Sequence, residues 1–240
     1  MRDQLILLPG WAYGPAALQP LCEALTELDP DLDVVIEPLP ELADPEAWLD
    51  ELDRRLPDDS WLAGWSLGGM LAAQLAARRL DSCRGLVTIA SNPCFRARPQ
   101  WPEAMAAEIF DAFQEAFRLD PEETLKRFRL LCSRGGYDPR TLARQLEVSQ
   151  SDSTSAVLEA GLRLLAELDG RGALHGYFGP QLHLFAGGDA LVPSTACDAL
   201  RRWMPGVEAE LIASTSHALP LERPDDVAAT IAAFIKSKAE

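Results

Sequence analysis

The chain reads as short apolar runs separated by longer stretches in which apolar residues recur every three or four positions. Residues 5–8 (Leu-Ile-Leu-Leu) form a wholly apolar run ended by Pro9-Gly10, which predicts a buried strand and a turn. Residues 16–28 carry apolar side chains at helical spacing, and 33–37 (Asp-Val-Val-Ile-Glu) are β-branched in the manner of a second strand. Asp44-Pro45 offers an N-cap with proline in the first turn, so a helix is expected from there to about Leu56, ahead of Pro57. Residues 61–65 make a third short apolar run, 67–79 a helical stretch, and 85–90 (Gly-Leu-Val-Thr-Ile-Ala) a fourth strand.

Alternation of this kind predicts a mostly parallel sheet with helices on both faces. It stops at about residue 99. From there to 172 only helical signals occur: one helix over 102–117, a second capped by Asp120-Pro121, a third capped by Asp138-Pro139, and a fourth over 151–168. Strand and helix signals then resume at 181–186, 194–203, 208–212 and 225–236. The expected organisation is an α/β core of residues 1–98 and 173–240, with 99–172 inserted as a helical lid.

Composition narrows the class of molecule. The 240 residues suffice for one domain with an insertion and a sizeable core. No run of about 18 uncharged apolar residues occurs, so no membrane span is expected. The first residues lack the basic region and cleavage site of an export signal, which makes the cytoplasm the expected location. The five cysteines (Cys22, Cys83, Cys94, Cys132, Cys197) are odd in number, scattered, and without a CxxC pair, so buried thiols are expected and neither disulfides nor a zinc site; no metal or cofactor is expected. A formal net charge of −15 argues against nucleic acid and anionic membrane as partners. The chain is read as a monomer.

Against that background one short motif stands out. Gly64-Trp65-Ser66-Leu67-Gly68 matches G-x-S-x-G, and it lies between an expected strand and an expected helix. A turn this tight strains the backbone of the central serine, and its neighbours must lack side chains where strand and helix cross. Ser66 would project at the helix N-terminus, where the backbone dipole favours negative charge. The arrangement is the nucleophile elbow of the α/β-hydrolase fold, with Ser66 as nucleophile.

A serine hydroxyl needs a base, usually histidine. The chain has three: His175, His183 and His217. His183 falls inside a strand and His175 in the stretch that closes the insertion, so both are read as structural. His217 follows the last strand in a Ser-Thr-Ser-His-Ala loop and is the expected base. Asp189, in the Gly187-Gly188-Asp189 turn after the preceding strand, is the expected acid. This gives the order Ser, Asp, His of that fold. Asp198 is the competitor, but it lies within a helix. The oxyanion donors are expected to be the N–H groups of Leu67 and of Trp11, whose indole can also wall the pocket.

Beyond the elbow, Ala90-Ser91-Asn92-Pro93-Cys94-Phe95, Arg98-Pro99-Gln100-Trp101-Pro102, the Gly188-Asp189 segment and Ser216-His217-Ala218 resemble the pimeloyl-acyl-carrier-protein methyl ester esterases of biotin synthesis. The resemblance implies an esterase that removes a methyl group from a pimeloyl chain on its carrier protein. It implies an acyl pocket using Trp11, Leu67, Phe128, Arg129, Leu130, Leu131 and Cys132. It implies that Arg127, Arg140 and Arg144 receive an acidic acyl-carrier protein. Charge points the same way: residues 118–144 hold seven basic and four acidic side chains in an otherwise acidic chain. Two departures stand out. Pro9-Gly10-Trp11 replaces the usual His-Gly-Trp, and Glu123 stands where a further lid arginine is usual. Two alternatives stay open from the residues alone: a hydrolase of small esters, lactones or thioesters, and a non-catalytic binding protein on the same fold.

Overall fold

The apolar runs become six strands, all parallel, in the computed structural model, which describes residues 3–239. They are β1 (Gln4–Leu8), β2 (Asp33–Ile36), β3 (Ser60–Trp65), β4 (Cys83–Ile89), β5 (Gln181–Ala186) and β6 (Glu208–Ile212), in the spatial order β2-β1-β3-β4-β5-β6. Every residue of β3 and β5 is buried, because helices cover both faces of the sheet. The edge strand β6 instead turns Glu208 and Glu210 outward, charges that discourage pairing with another chain.

The helices α1 (Gln19–Leu28) and α11 (Pro224–Ala239) pack together against one face. On the other lie α2 (Ala47–Arg55) and α3 (Leu67–Arg79), with α8 (Arg171–Gly176) and α9 (Thr195–Trp203) beside α3. Between β4 and α8 the chain makes four successive helices, α4 (Ala107–Leu119), α5 (Pro121–Ser133), α6 (Pro139–Val148) and α7 (Ser155–Glu167). A one-turn helix, α10 (Leu219–Glu222), precedes α11.

Helix starts moved where side chains found other work. The helix expected from Asp44-Pro45 begins at Ala47, because Asp44 Oδ1 accepts from the Glu46 N–H in a turn ahead of it. The helix expected over 102–117 is α4, which begins at Ala107. Residues 101–105 stay irregular because the buried Trp101 indole donates to Asn92 Oδ1 (2.9 Å), while Asn92 Nδ2 donates to the Glu103 carbonyl (2.8 Å). The helix expected from 151 starts at Ser155 with Thr154 as N-cap; Ser151 N–H instead donates to the Ala12 carbonyl and ties the insertion to the core. The expected helix over 16–28 is interrupted near Leu18, with a short tight turn over Pro15–Ala17 ahead of α1. Asp120 and Asp138 cap α5 and α6 as expected, accepting from the N–H groups of Glu123 and Thr141.

Candidate active site

The turn after β3 holds Ser66 at φ 55° and ψ −118°. Such a conformation costs on the order of 1–3 kcal/mol and persists only where the surroundings impose it. Here the Ser66 N–H donates to the Ile89 carbonyl (2.9 Å), and Ser91 Oγ donates to the Ser66 carbonyl (2.8 Å). A Cβ on Gly64 would lie 2.2 Å from the backbone of Gly68, and one on Gly68 would lie 2.3 Å from the Leu8 carbonyl oxygen. Strand and helix can therefore cross here only as glycines.

Asp189 and His217 arrive at the same edge from the loops after β5 and β6, the carboxyl ends of parallel strands. Asp189 Oδ1 accepts from the Leu191 and Val192 N–H groups (2.8 and 2.9 Å), which leaves Oδ2 for His217 Nδ1 at 2.7 Å. A carboxylate facing backbone donors only accepts, so Nδ1 carries the proton and Nε2 is the free lone pair. That nitrogen stands 2.9 Å from Ser66 Oγ. The His217 carbonyl is held by the Trp65 indole N–H (2.8 Å), and the Gly188 N–H donates to the Thr215 carbonyl (2.7 Å), locking the two loops together. The structure thus brings together the three side chains expected from the sequence, and both Ser66 and His217 are buried. Trp11 and Leu67 are buried too, and among the described residues neither backbone N–H has an acceptor. Buried N–H groups rarely go unpaired, so both are free to donate, and that of Leu67 stands at the N-terminus of α3 next to Ser66, where negative charge is favoured.

The profile of the alpha/beta hydrolase family matches residues 5–230. The chain belongs to the alpha/beta hydrolase family. Within it, the chain is 36% identical to a pimeloyl-[acyl-carrier protein] methyl ester esterase of Aromatoleum aromaticum, over 96% of this chain and 97% of that one. It is 35% identical to the biotin biosynthesis bifunctional protein BioHC of Cellvibrio japonicus over 99% of its own length. The chain spans about half of that bifunctional relative, 48% of its length. Among solved structures, a bromoperoxidase from Bacillus anthracis superposes with a TM-score of 0.84 at 16% identity, covering 98% of this chain and 92% of that one. That likeness concerns the fold alone.

In this alpha/beta hydrolase the remaining expected residues divide. Phe128 packs edge-on against Trp11 (ring centroids 4.8 Å apart), and with Leu131 it lines an entirely apolar inner cavity of about 40 Å³. Trp11 is clamped: its indole donates to the Leu158 carbonyl (2.8 Å), and a Cβ on Gly161 would come within 2.6 Å of the ring. Leu67, Arg129, Leu130 and Cys132 do not line that cavity. Leu130 faces outward with 62% exposure, because its place on α5 is opposite Phe128. Arg129 pairs instead with Glu147 and Gln150, bracing α5 against the end of α6. Cys132 is buried beside Tyr13, its carbonyl accepting from the Ala218 N–H (3.2 Å). Burial pushes its thiol well above the usual cysteine range.

The three arginines expected to meet a partner lie on the surface of the insertion. Arg127 is paired with Glu123 (3.3 Å), whereas Arg140 and Arg144, one turn apart on α6, have no carboxylate within 4 Å among the described residues. Arg134, at the end of α5, is exposed and unpaired in the same sense. His175 is exposed on α8 next to Trp203. His183 is buried in β5, away from the catalytic edge, as its strand position predicts.

One residue escaped the sequence reading. Glu222, on α10, accepts from Ser216 N–H and Ser216 Oγ through Oε2 (both 2.7 Å) and from the Tyr137 N–H of the insertion through Oε1 (2.8 Å). It fastens the residue before His217 to the α5–α6 turn. No motif marks it, since its role depends on two donors far apart in sequence. The other silent feature is Tyr13, whose buried hydroxyl has no partner of good geometry and whose ring lies 5.0 Å from that of Trp65.

Proposed function

We propose that this chain is a carboxylesterase that hydrolyses the methyl ester of a pimeloyl chain carried by acyl-carrier protein, through an acyl-enzyme. The observation that carries the chemistry is the continuous relay from Ser66 Oγ through His217 to Asp189 Oδ2, at 2.9 and 2.7 Å. His217 Nε2 takes the Ser66 proton as Oγ attacks the ester carbonyl. The N–H groups of Trp11 and Leu67 hold the oxyanion, and Asp189 holds the imidazolium that forms. Methanol leaves with the proton from His217. Water then attacks the acyl-enzyme, giving its proton to His217, and the free carboxylate departs as Ser66 regains a proton.

The substrate half of the reading is supported by the full-length match to the Aromatoleum aromaticum esterase. The unpaired Arg134, Arg140 and Arg144 support it as well. In a chain of formal charge −15, they are where an acidic carrier would be steered. Residues 99–172 act as the lid: Phe128 lies over Trp11, and Ser66 is only 4% exposed. The carrier-borne chain therefore has to enter beneath the insertion.

Hydrolysis of methyl-pimeloyl-acyl-carrier protein by wild type and Ser66→Ala, read by mass spectrometry of the carrier, tests the assignment. Loss of the methyl group with wild type alone is expected. Activity on a short soluble ester without loss from the carrier would keep the relay and sink the substrate. Charge reversal of Arg140 and Arg144 is expected to lower kcat/KM on the carrier-bound ester and spare the soluble one; equal effects on both would count against docking on α6.

A further inference from the structure

The segment Ala90-Ser91-Asn92-Pro93 that follows β4 has no part in the relay, yet it grips the nucleophile. The Ser66 N–H donates to the Ile89 carbonyl (2.9 Å). The Ser66 carbonyl oxygen accepts from Ser91 Oγ (2.8 Å) and from the N–H groups of Gly69 and Met70 (3.0 and 3.2 Å). Ala90 turns the chain here at φ 45°, a left-handed conformation that alanine rarely adopts. Its N–H donates to the Leu184 carbonyl (2.7 Å), Asn92 is fixed by Trp101 and Glu103, and the Pro93 carbonyl accepts from the Gly170 N–H (2.7 Å). Gly69 makes the room, since a Cβ there would lie 2.7 Å from Ser91 Cβ. The buried Ser91 hydroxyl is therefore a donor fixed in place before any substrate arrives.

We propose that Ser91 is a positioning residue for the oxyanion site, acting through the Ser66–Leu67 peptide group; the assignment rests on the hydrolase reading above. The Ser66 carbonyl and the Leu67 N–H belong to one planar unit and point to opposite sides of it. Whatever fixes the oxygen therefore fixes the direction of the N–H. A donor at the oxygen also draws electron density away from the nitrogen, and such relayed polarisation strengthens the next bond by about 10–30%. Of the three donors on the Ser66 oxygen, two are backbone groups of α3 that form its first turn. Ser91 supplies the third from a side chain, so it can be removed without touching the helix. The Leu67 N–H has no acceptor among the described residues, which leaves it for an oxyanion. Full negative charge reaches the ester oxygen only as the tetrahedral species forms, so a stronger Leu67 donor speeds attack without tightening the binding of substrate.

The test compares p-nitrophenyl butyrate with its thiono analogue, two soluble esters that differ only in the atom that takes the negative charge. Sulfur is the larger and weaker acceptor, so the thionoester draws little from the donors. Acylation of Ser66 is followed through the released nitrophenolate, with enzyme in excess so that slow turnover is still read. Ser91→Ala is expected to slow acylation by the oxygen ester about tenfold, a fraction of the roughly 10²–10³ that loss of a whole donor costs, with substrate binding close to that of wild type. The thionoester should lose much less, so the ratio of the two rates falls several-fold. Ser91→Cys, whose S–H is a weak donor, should fall between wild type and Ser91→Ala, and it stands in if the alanine variant does not fold. An equal loss on both esters would mean that Ser91 only braces the nucleophile, and no loss would mean that Gly69 and Met70 suffice; either result overturns the proposal. Wild type that cleaves the soluble ester but ignores the carrier-bound one sinks the carrier reading alone and leaves this test in force. Wild type inert on the soluble ester overturns the hydrolase reading and this inference with it.

Discussion

The two buried histidines make opposite use of similar burial. His183, in the middle of β5, has a neutral partner at each ring nitrogen. The Gln181 amide nitrogen donates to the Leu174 and Tyr177 carbonyls, so its Oε1 is left to accept from His183 Nε2–H (3.3 Å), and Nδ1 accepts from Thr88 Oγ1 (2.7 Å). Without a countercharge, burial drives its pKa down to about 3. His217, at the end of the sheet, is equally shut off from solvent, but it faces a carboxylate on one side and a hydroxyl on the other. What separates a structural imidazole from a candidate base is therefore its partners: Asp189 allows a positive charge to form on His217, and Thr88 and Gln181 offer His183 no such help.

The largest way to break this contrast is to remove the relay. Ser66→Ala and His217→Ala are each expected to lower kcat by roughly 10⁴-fold or more, with the double variant no worse than the poorer single one, because the residues act as a unit. Asp189→Asn is expected to cost about 10⁴-fold, since an amide can hold the wrong tautomer. Steady-state kinetics on one soluble ester decide this. Multiplicative losses in the double variant would mean that Ser66 and His217 do not serve one step. Replacing His183 should leave kcat within a few-fold in any variant that folds.

The parts of the molecule that were legible in the sequence share a physical cause. The elbow, the acid turn and the base loop sit directly after strands, and short segments rich in apolar residues between turn signals mark those strands; β5 and β6 begin and end where such segments do. Gly64 and Gly68 were legible because their need for space is local. The insertion was legible as helices, with the starts of α5 and α6 marked by their Asp-Pro caps, but the starts of α4 and α7 were not, since Trp101 and Ser151 bond to residues that no local pattern brings close. Within 128–132, Phe128, Leu131 and Cys132 lie three and four positions apart on one face of α5, and the first two line the apolar cavity, while Leu130 turns outward and Arg129 pairs with Glu147 and Gln150.

A smaller effect sharpens the contrast from the side of His183. Unfolded, its imidazole titrates near 6.5; folded, it titrates at about 3. Below pH 6.5 the unfolded chain binds a proton that the folded chain refuses. Its stabilising contribution is therefore complete above the unfolded value and is lost as pH falls toward 3, by about 1.4 kcal/mol per pH unit. Between pH 7 and pH 5 that is about 2 kcal/mol, in a window where most carboxylates stay ionised. Denaturant melts of wild type and His183→Gln at the two pH values should show this extra loss in wild type alone. Equal losses would mean that His183 takes up its proton without unfolding the chain.

The smallest expected effect concerns what holds His217 in place. Glu222→Gln keeps the size of the side chain but replaces one acceptor oxygen with an NH₂ group, which must then face the Tyr137 N–H or the Ser216 donors. An unmade bond at a half-buried site costs about 1–2 kcal/mol, which a thermal melt detects as a lower Tm. If Glu222 only stiffens the fold, the labelling of Ser66 by a fluorophosphonate, measured well below the melt, stays at the wild-type rate. If it positions His217 by fixing Ser216, labelling slows several-fold at the same temperature, and Glu222→Asp, which retains two acceptor oxygens, recovers part of the rate. The geometry favours the second outcome, because the carboxylate grips the residue adjacent to the imidazole and, through Tyr137, the turn of the insertion above it.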